Sequence, residues 1–154
     1  MGIDARESLY TKQQLRDIAR AARMELARRS LINFTKYTNP LYVENWHHKT
    51  YARKLDEFAA GKIKKLMIFM PPQHGKSMTV TESVPSWYLG KHPESRIIMA
   101  SYNEGFAERF LRRNKEKIRR FGKNLFGIEI GGVDRATELE LSNGMGRIIS
   151  RGLL

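Results

Sequence analysis

Residues 65–77, KLMIFMPPQHGKS, constrain the fold more than any other part of the chain. An apolar run too short for a buried helix stops at two prolines. Gly75-Lys76-Ser77 then opens a second pattern, in which Val80, Val84, Trp87, Tyr88 and Leu89 lead to Gly90 and Pro93. The run predicts a buried strand; the second pattern predicts a helix, bent or thinned at Pro85 and ended by its glycine and proline. Strand, tight loop and helix, in that order, is the setting in which Gly-Lys-Ser has a mechanism. Successive backbone N–H groups from about Gln73 to Ser77 can curl around a phosphate, and the helix N-terminus adds its partial positive charge. Gly75 lets the backbone come close, Lys76 reaches β- and γ-phosphate oxygens, and the Ser77 hydroxyl suits Mg²⁺. The expected nucleotide-binding residues are Pro72, Gln73, His74, Gly75, Lys76, Ser77 and Met78, with Lys76 as the catalytic cation and Ser77 as the metal ligand. The expected cofactors are a nucleotide with β- and γ-phosphates and Mg²⁺.

The glycine that opens most such loops is absent. Met70 stands in its place, followed by Pro71 and Pro72. Prolines have no N–H to donate, so they stand outside the cradle and, by fixing φ, aim the chain into it.

Upstream, Thr11 and Gln14 form a capping box, and Leu15, Ile18, Ala19, Ala22 and Leu26 recur at helical spacing among arginines. A packed helix with a solvated basic face is expected there. Residues 33–42, NFTKYTNPLY, read as a connection around Pro40. The helical pattern resumes from Glu44 through His48, Tyr51, Leu55, Phe58 and Ala59 to Gly61, a suitable left-handed helix end. After the loop and its helix, RIIMAS at 96–101 reads as a second buried strand. Asn103 caps a further helix carrying Phe106, Ala107, Phe110, Leu111, Ile118 and Phe121 as far as Gly122. Strand, helix and strand of this length predict a parallel pair and an α/β layered fold. TELELSNGMGRIIS, turning at Asn143-Gly144, predicts a C-terminal β-hairpin.

Among 154 residues, lysine and arginine number 28 against 16 acids, a formal charge of +12. Such a field draws polyanions, nucleic acid above all. The absence of cysteine excludes disulfides, thiolate metal sites and a cysteine nucleophile. No apolar run approaches the roughly 18 residues of a membrane span, and the first twelve residues carry no secretory h-region.

The segment from Asn45 to Asn103 resembles the N-terminal ATPase region of the large subunit of tailed-phage terminases. In that family a Pro-Pro-x-His-Gly-Lys-Ser loop replaces the glycine-first Walker A form, which matches Pro71, Pro72, His74, Gly75, Lys76 and Ser77. Trp87, Leu89-Gly90, Pro93 and ASYN at 100–103 also match, and the resemblance runs from about Ser30 to Gly152. It implies a P-loop NTPase-type, partly parallel sheet with flanking helices. Residues 1–61 form an N-terminal helical region, and 62–154 form the first part of a P-loop ATPase domain. The implied activity is ATP hydrolysis that drives viral DNA into a procapsid in the cytoplasm of an infected or lysogenic bacterial host. The implied partners are double-stranded DNA, the small terminase subunit and the portal protein, with no membrane. Trp46, His47, His48 and Tyr51 are the adenine-side candidates.

Two departures accompany these matches. No apolar strand ending in paired acids follows the hairpin. The nearest mimic, IEIGGVD, is set aside because Gly131-Gly132 breaks the strand and Arg135 follows Asp134. Without that Walker B pair the domain reads as incomplete, with weak ATP binding, negligible hydrolysis and an exposed sheet edge that favours self-association. Gln73 also stands where family loops often carry arginine, which leaves Arg109, Arg112 and Arg113 as alternative donors of positive charge. A non-catalytic basic module that binds nucleic acid or docks on protein is the competing reading.

Overall fold

The structure, a computed structural model, describes residues 10–153. The expectation that the first twelve residues carry no secretory h-region falls mostly on residues 1–9, which lie outside the described residues. Among the described residues no helix is long and apolar enough to cross a membrane.

Helix α1 (Lys12–Arg29) starts where the capping box places it, with Thr11 Oγ1 accepting from Gln14 N and Gln14 Oε1 accepting from Thr11 N. Its apolar stripe is a correction to the packed helix expected: Leu15, Ile18 and Leu26 are exposed, and Ala27 alone is fully buried. The helix is anchored by its last turn, where the Ala27 carbonyl accepts from Trp87 Nε1 at 3.1 Å. The expected connection at 33–42 is also corrected, because Leu31–Thr38 forms α2. Leu31 and Phe34 are driven into the core, and Thr35 and Thr38 fold their hydroxyls back onto the carbonyls four residues earlier. Only residues 39–45 connect to α3 (Trp46–Ala59), which ends at Gly61 with φ +73°, as expected.

Residues 65–70 lie outside the sheet, contrary to the buried strand expected. Leu66, Ile68 and Met70 pack against the helical core, while Met67 and Phe69 are 77% and 83% exposed. Alternation of this kind is strand-like, yet a strand needs a neighbour to take its N–H and C=O groups. None of the described strands lies alongside it.

A π-helical turn, Ser77–Thr81, leads into α4 (Glu82–Lys91). Pro85 has no N–H for the Thr81 carbonyl four residues back. Helix α5 (Glu104–Lys117) repairs that gap. Asn114 Nδ2 donates to Thr81 O at 2.9 Å, and Asn114 Oδ1 accepts from Ser86 N at 2.9 Å. Lys117 Nζ donates to Glu82 O at 2.6 Å. A second π-helical turn (Ile118–Gly122) and α6 (Lys123–Phe126) complete the helices.

Strands β1 (Arg96–Ser101), β2 (Ile130–Arg135), β3 (Glu138–Leu141) and β4 (Arg147–Gly152) form one mixed sheet in the order β1-β4-β3-β2. The expected hairpin is present as the antiparallel pair β3–β4. The parallel partner of β1 is β4, Ile98 facing Ile149, rather than a strand before the loop. Gly131-Gly132 does not break β2; the pairing with β3 shifts register there instead. Leu89, Met99, Leu111, Leu139 and Ile148 form a core between the sheet and α4 and α5. A second core joins Ala27, Leu31, Phe34, Tyr51 and Leu55 to Trp87 and Leu125. The outer face of β1 is uncovered, with Ile98 76% exposed.

Candidate functional site

The loop keeps its tight geometry although the strand before it is unpaired. Gln73 has φ +63° and Gly75 φ +75°, with His74 between them at negative φ. Alternation of sign along the backbone builds anion-holding concavities. His74 Nδ1 lies 2.7 Å from Pro72 O and donates to it, since a carbonyl oxygen only accepts, and this closes the turn on itself. Lys76 opens the helical segment, and the Thr79 N–H reaches Gly75 O at 3.2 Å. Lys76 and Ser77 are both exposed, and among the described residues neither side chain has a hydrogen bond or ion pair.

Beside the loop lies an open cavity of about 610 Å³, within the range of small-molecule sites. Tyr42, Val43, His47 and His48 line one side, and Gln73, His74, Gly75 and Met78 the other. Of the adenine-side candidates, the structure brings His47 and His48 to this cavity. Trp46 is 74% exposed, with its ring edge-on to His47, and Tyr51 is buried behind the cavity. Pro72, Lys76 and Ser77 stand on the loop outside the lining.

Tyr51 supports the site from beneath. Its hydroxyl donates to the buried Thr79 Oγ1 at 2.9 Å, and the Tyr42 hydroxyl is 3.0 Å from the same atom, so α3 and residues 39–45 are both tied to the turn after the loop. Burial pushes the Tyr51 phenol pKa up, so the hydroxyl stays a donor. The rings of His47 and His48 meet at a tilt of 50° with centroids 4.1 Å apart, and His74 lies 5.9 Å from His47. Removal from water, and then the charge interaction with His48 and His74, holds the His47 pKa below its ordinary value.

Asn39, Leu41, Tyr42, Val43, Glu44 and Asn45 also line the cavity and were missed as site residues. Tyr42 meets Thr79 37 positions away, a separation that no local pattern reports. Glu44 is the only carboxylate in that lining, and ion pairs with Lys36 at 2.9 Å and Lys49 at 3.8 Å engage it. Lys36 contributes most to holding the Glu44 pKa below the usual carboxylate range.

For a triphosphate, the residues present fit: a positive-φ turn, a free ammonium and a hydroxyl at the start of a helical segment. For Mg²⁺ they offer the Ser77 hydroxyl, and among the described residues no cluster of three acidic, histidine or cysteine side chains could hold a metal by itself. Such a cation would share its ligands with the nucleotide and water, the usual habit of Mg²⁺. Asp134, the acid of the set-aside mimic, pairs with Lys115 at 2.7 Å and with Arg119, away from the loop lining.

A largely basic cavity of about 360 Å³ lies at α5 and β2, lined by Arg109, Arg112, Arg119, Arg135 and Lys115 together with Glu108 and Asp134, the latter engaged as described. Arg113, the third alternative donor, pairs instead with Glu116 at 3.3 Å in a separate cleft that also contains Met78.

Compared with known families, residues 67–152, more than half of the chain, match the model of the terminase large subunit, T4-like virus type, N-terminal region. No curated protein and no solved structure matches the chain.

Proposed function

Because the chain belongs to the terminase large subunit family, whose members act in phage DNA packaging, we propose that residues 72–78 bind the phosphates of ATP within a P-loop NTPase-type fold. The nucleobase would lie in the cavity lined by Tyr42, His47 and His48. The observation that carries this reading is the sign alternation at Gln73 and Gly75, directly before an unpaired Lys76 and Ser77. Gly75 N–H and its neighbours would bind phosphate oxygens, Lys76 would neutralise β- and γ-charge, and Ser77 would hold Mg²⁺. When bound, Mg²⁺ supplies further neutralisation of the phosphate oxygens. In the intact motor this site would power DNA translocation with the small subunit and the portal protein.

The 154-residue chain binds ATP weakly and hydrolyses it negligibly on this reading. Glu44, the carboxylate of the cavity lining, is engaged by two lysines, and among the described residues no other carboxylate lines that cavity to serve as a general base. Mg-ATP is expected to raise the melting temperature, and Lys76→Ala to abolish the shift. An equal shift in the variant places the nucleotide elsewhere, and turnover above ~0.1 s⁻¹, the lower range of enzyme rates, overturns the account of hydrolysis.

A second reading, a basic module that holds nucleic acid without catalysis, draws support from the cavity at α5 and β2. Arg109, Arg112 and Arg135 there have no ion-pair partner among the described residues. Three such guanidiniums repel one another and favour a phosphodiester backbone. Duplex affinity that falls steeply with salt, and less steeply in the triple alanine variant, is the expected result; no binding at low salt rejects it.

A further inference from the structure

Gly75 is confined from a direction that the phosphate loop alone does not explain. A Cβ built on it would lie 2.7 Å from His48 Nε2, so the His48 ring fills the space a side chain would need. The ring is held at both ends. In the capping box of α3 its Nδ1 accepts from the Asn45 N–H at 2.9 Å. A ring nitrogen that accepts from an N–H carries no proton, which places the proton of the neutral imidazole on Nε2. Nε2 lies 3.1 Å from the His74 carbonyl oxygen, which can only accept. The two contacts therefore select the same tautomer.

The consequence falls on the next peptide group. The His74 carbonyl and the Gly75 N–H belong to one planar trans peptide and point in opposite directions. By holding His74 O, His48 turns the Gly75 N–H to the far side of the loop, where no backbone acceptor among the described residues takes it. We infer that His48 is a positioning residue of the nucleotide site: its Nε2–H latches the His74–Gly75 peptide so that the Gly75 N–H faces the incoming phosphate. The rings of His47 and Tyr42, both tilted at 50° to the imidazole with centroids 4.1 and 5.3 Å away, flank it and limit its rotation. This role rests on the nucleotide reading proposed above.

Two side chains separate the ends of the latch. Glutamine can place an N–H donor near the position of Nε2, whereas asparagine retains only an acceptor near Nδ1. Mg-ATP affinity is to be measured by calorimetry for the wild type, His48→Gln, His48→Asn and His48→Ala, with circular dichroism to confirm folding. The expected result is binding within about threefold of wild type for Gln and a loss of about tenfold for Asn and Ala, the size of one hydrogen bond. Long-range ¹⁵N NMR should report Nδ1 of His48 unprotonated and Nε2 protonated in the neutral protein. Equal affinity in all four proteins, or a proton on Nδ1, overturns the latch. Wild-type protein that binds no Mg-ATP overturns the nucleotide reading and the role with it, a different result from equal binding across the series.

Discussion

Asn114→Ala tests how the helix that follows the loop survives a proline. Asn114 is fully buried and makes three hydrogen bonds of 2.9 Å, to Ser86 N, Thr81 O and Phe110 O. Phe110 O lies inside α5 and keeps its helical donor, whereas Ser86 N and Thr81 O face the fault that Pro85 makes in α4. Removing the amide strands two backbone groups, each at about 1–3 kcal/mol, for a total of about 4 kcal/mol. That is a large share of the ~5–15 kcal/mol by which whole domains are stable. Pro85→Ala restores an N–H for Thr81 O, so in that background the cost should fall to about 2 kcal/mol, a coupling of about 2 kcal/mol. Urea unfolding of the four proteins of the cycle measures it. A cost below about 1 kcal/mol, or an equal cost in both backgrounds, refutes the repair.

Gln73→Gly should stabilise the protein by up to about 1 kcal/mol in urea, because only glycine adopts φ +63° without a steric penalty; a loss of stability would show that the Gln73 side chain matters more than its backbone. Burial pushes the Lys117 pKa down to about 8, so the unfolded chain binds more protons between pH 8 and 10.5 and stability should climb across that window. Lys117→Met should flatten the climb, and an unchanged slope would remove Lys117 as its cause. His47, also held below its ordinary value, contributes stability above about pH 6.5 that is lost as the pH falls, which His47→Gln should abolish in urea melts at pH 5 and 7. The exposed Met67, Phe69 and Ile98 should drive concentration-dependent association in sedimentation, reduced by a Met67→Glu, Phe69→Glu double variant; a wild type that stays monomeric at every concentration contradicts this.

The residues of the loop and the ends of its neighbours were legible in the sequence because they depend on nearby atoms. Thr11 and Gln14 satisfy each other three positions apart, Gly61 supplies a left-handed helix end, and Asn143-Gly144 turns a hairpin. The apolar run at 66–70 was legible too, but its state depended on something local pattern does not contain: a partner strand. Helix α2 was hidden for the complementary reason. The turn formers around Pro40 made residues 33–42 read as a connection, and burial of Leu31 and Phe34 in the shared core overrides that reading.

The sequence by itself determined which residues cap the helices, where the hairpin turns and which family loop this chain carries. The tertiary structure decided that β4 pairs with β1, that Asn114 and Lys117 mend the fault at Pro85, and that Tyr42, Tyr51 and His48 brace the loop from distant positions. The division follows from range. Capping and turns are settled by groups a few residues apart, whereas strand pairing, the repair of a broken helix and the aim of a single peptide N–H depend on atoms that only the folded core brings together.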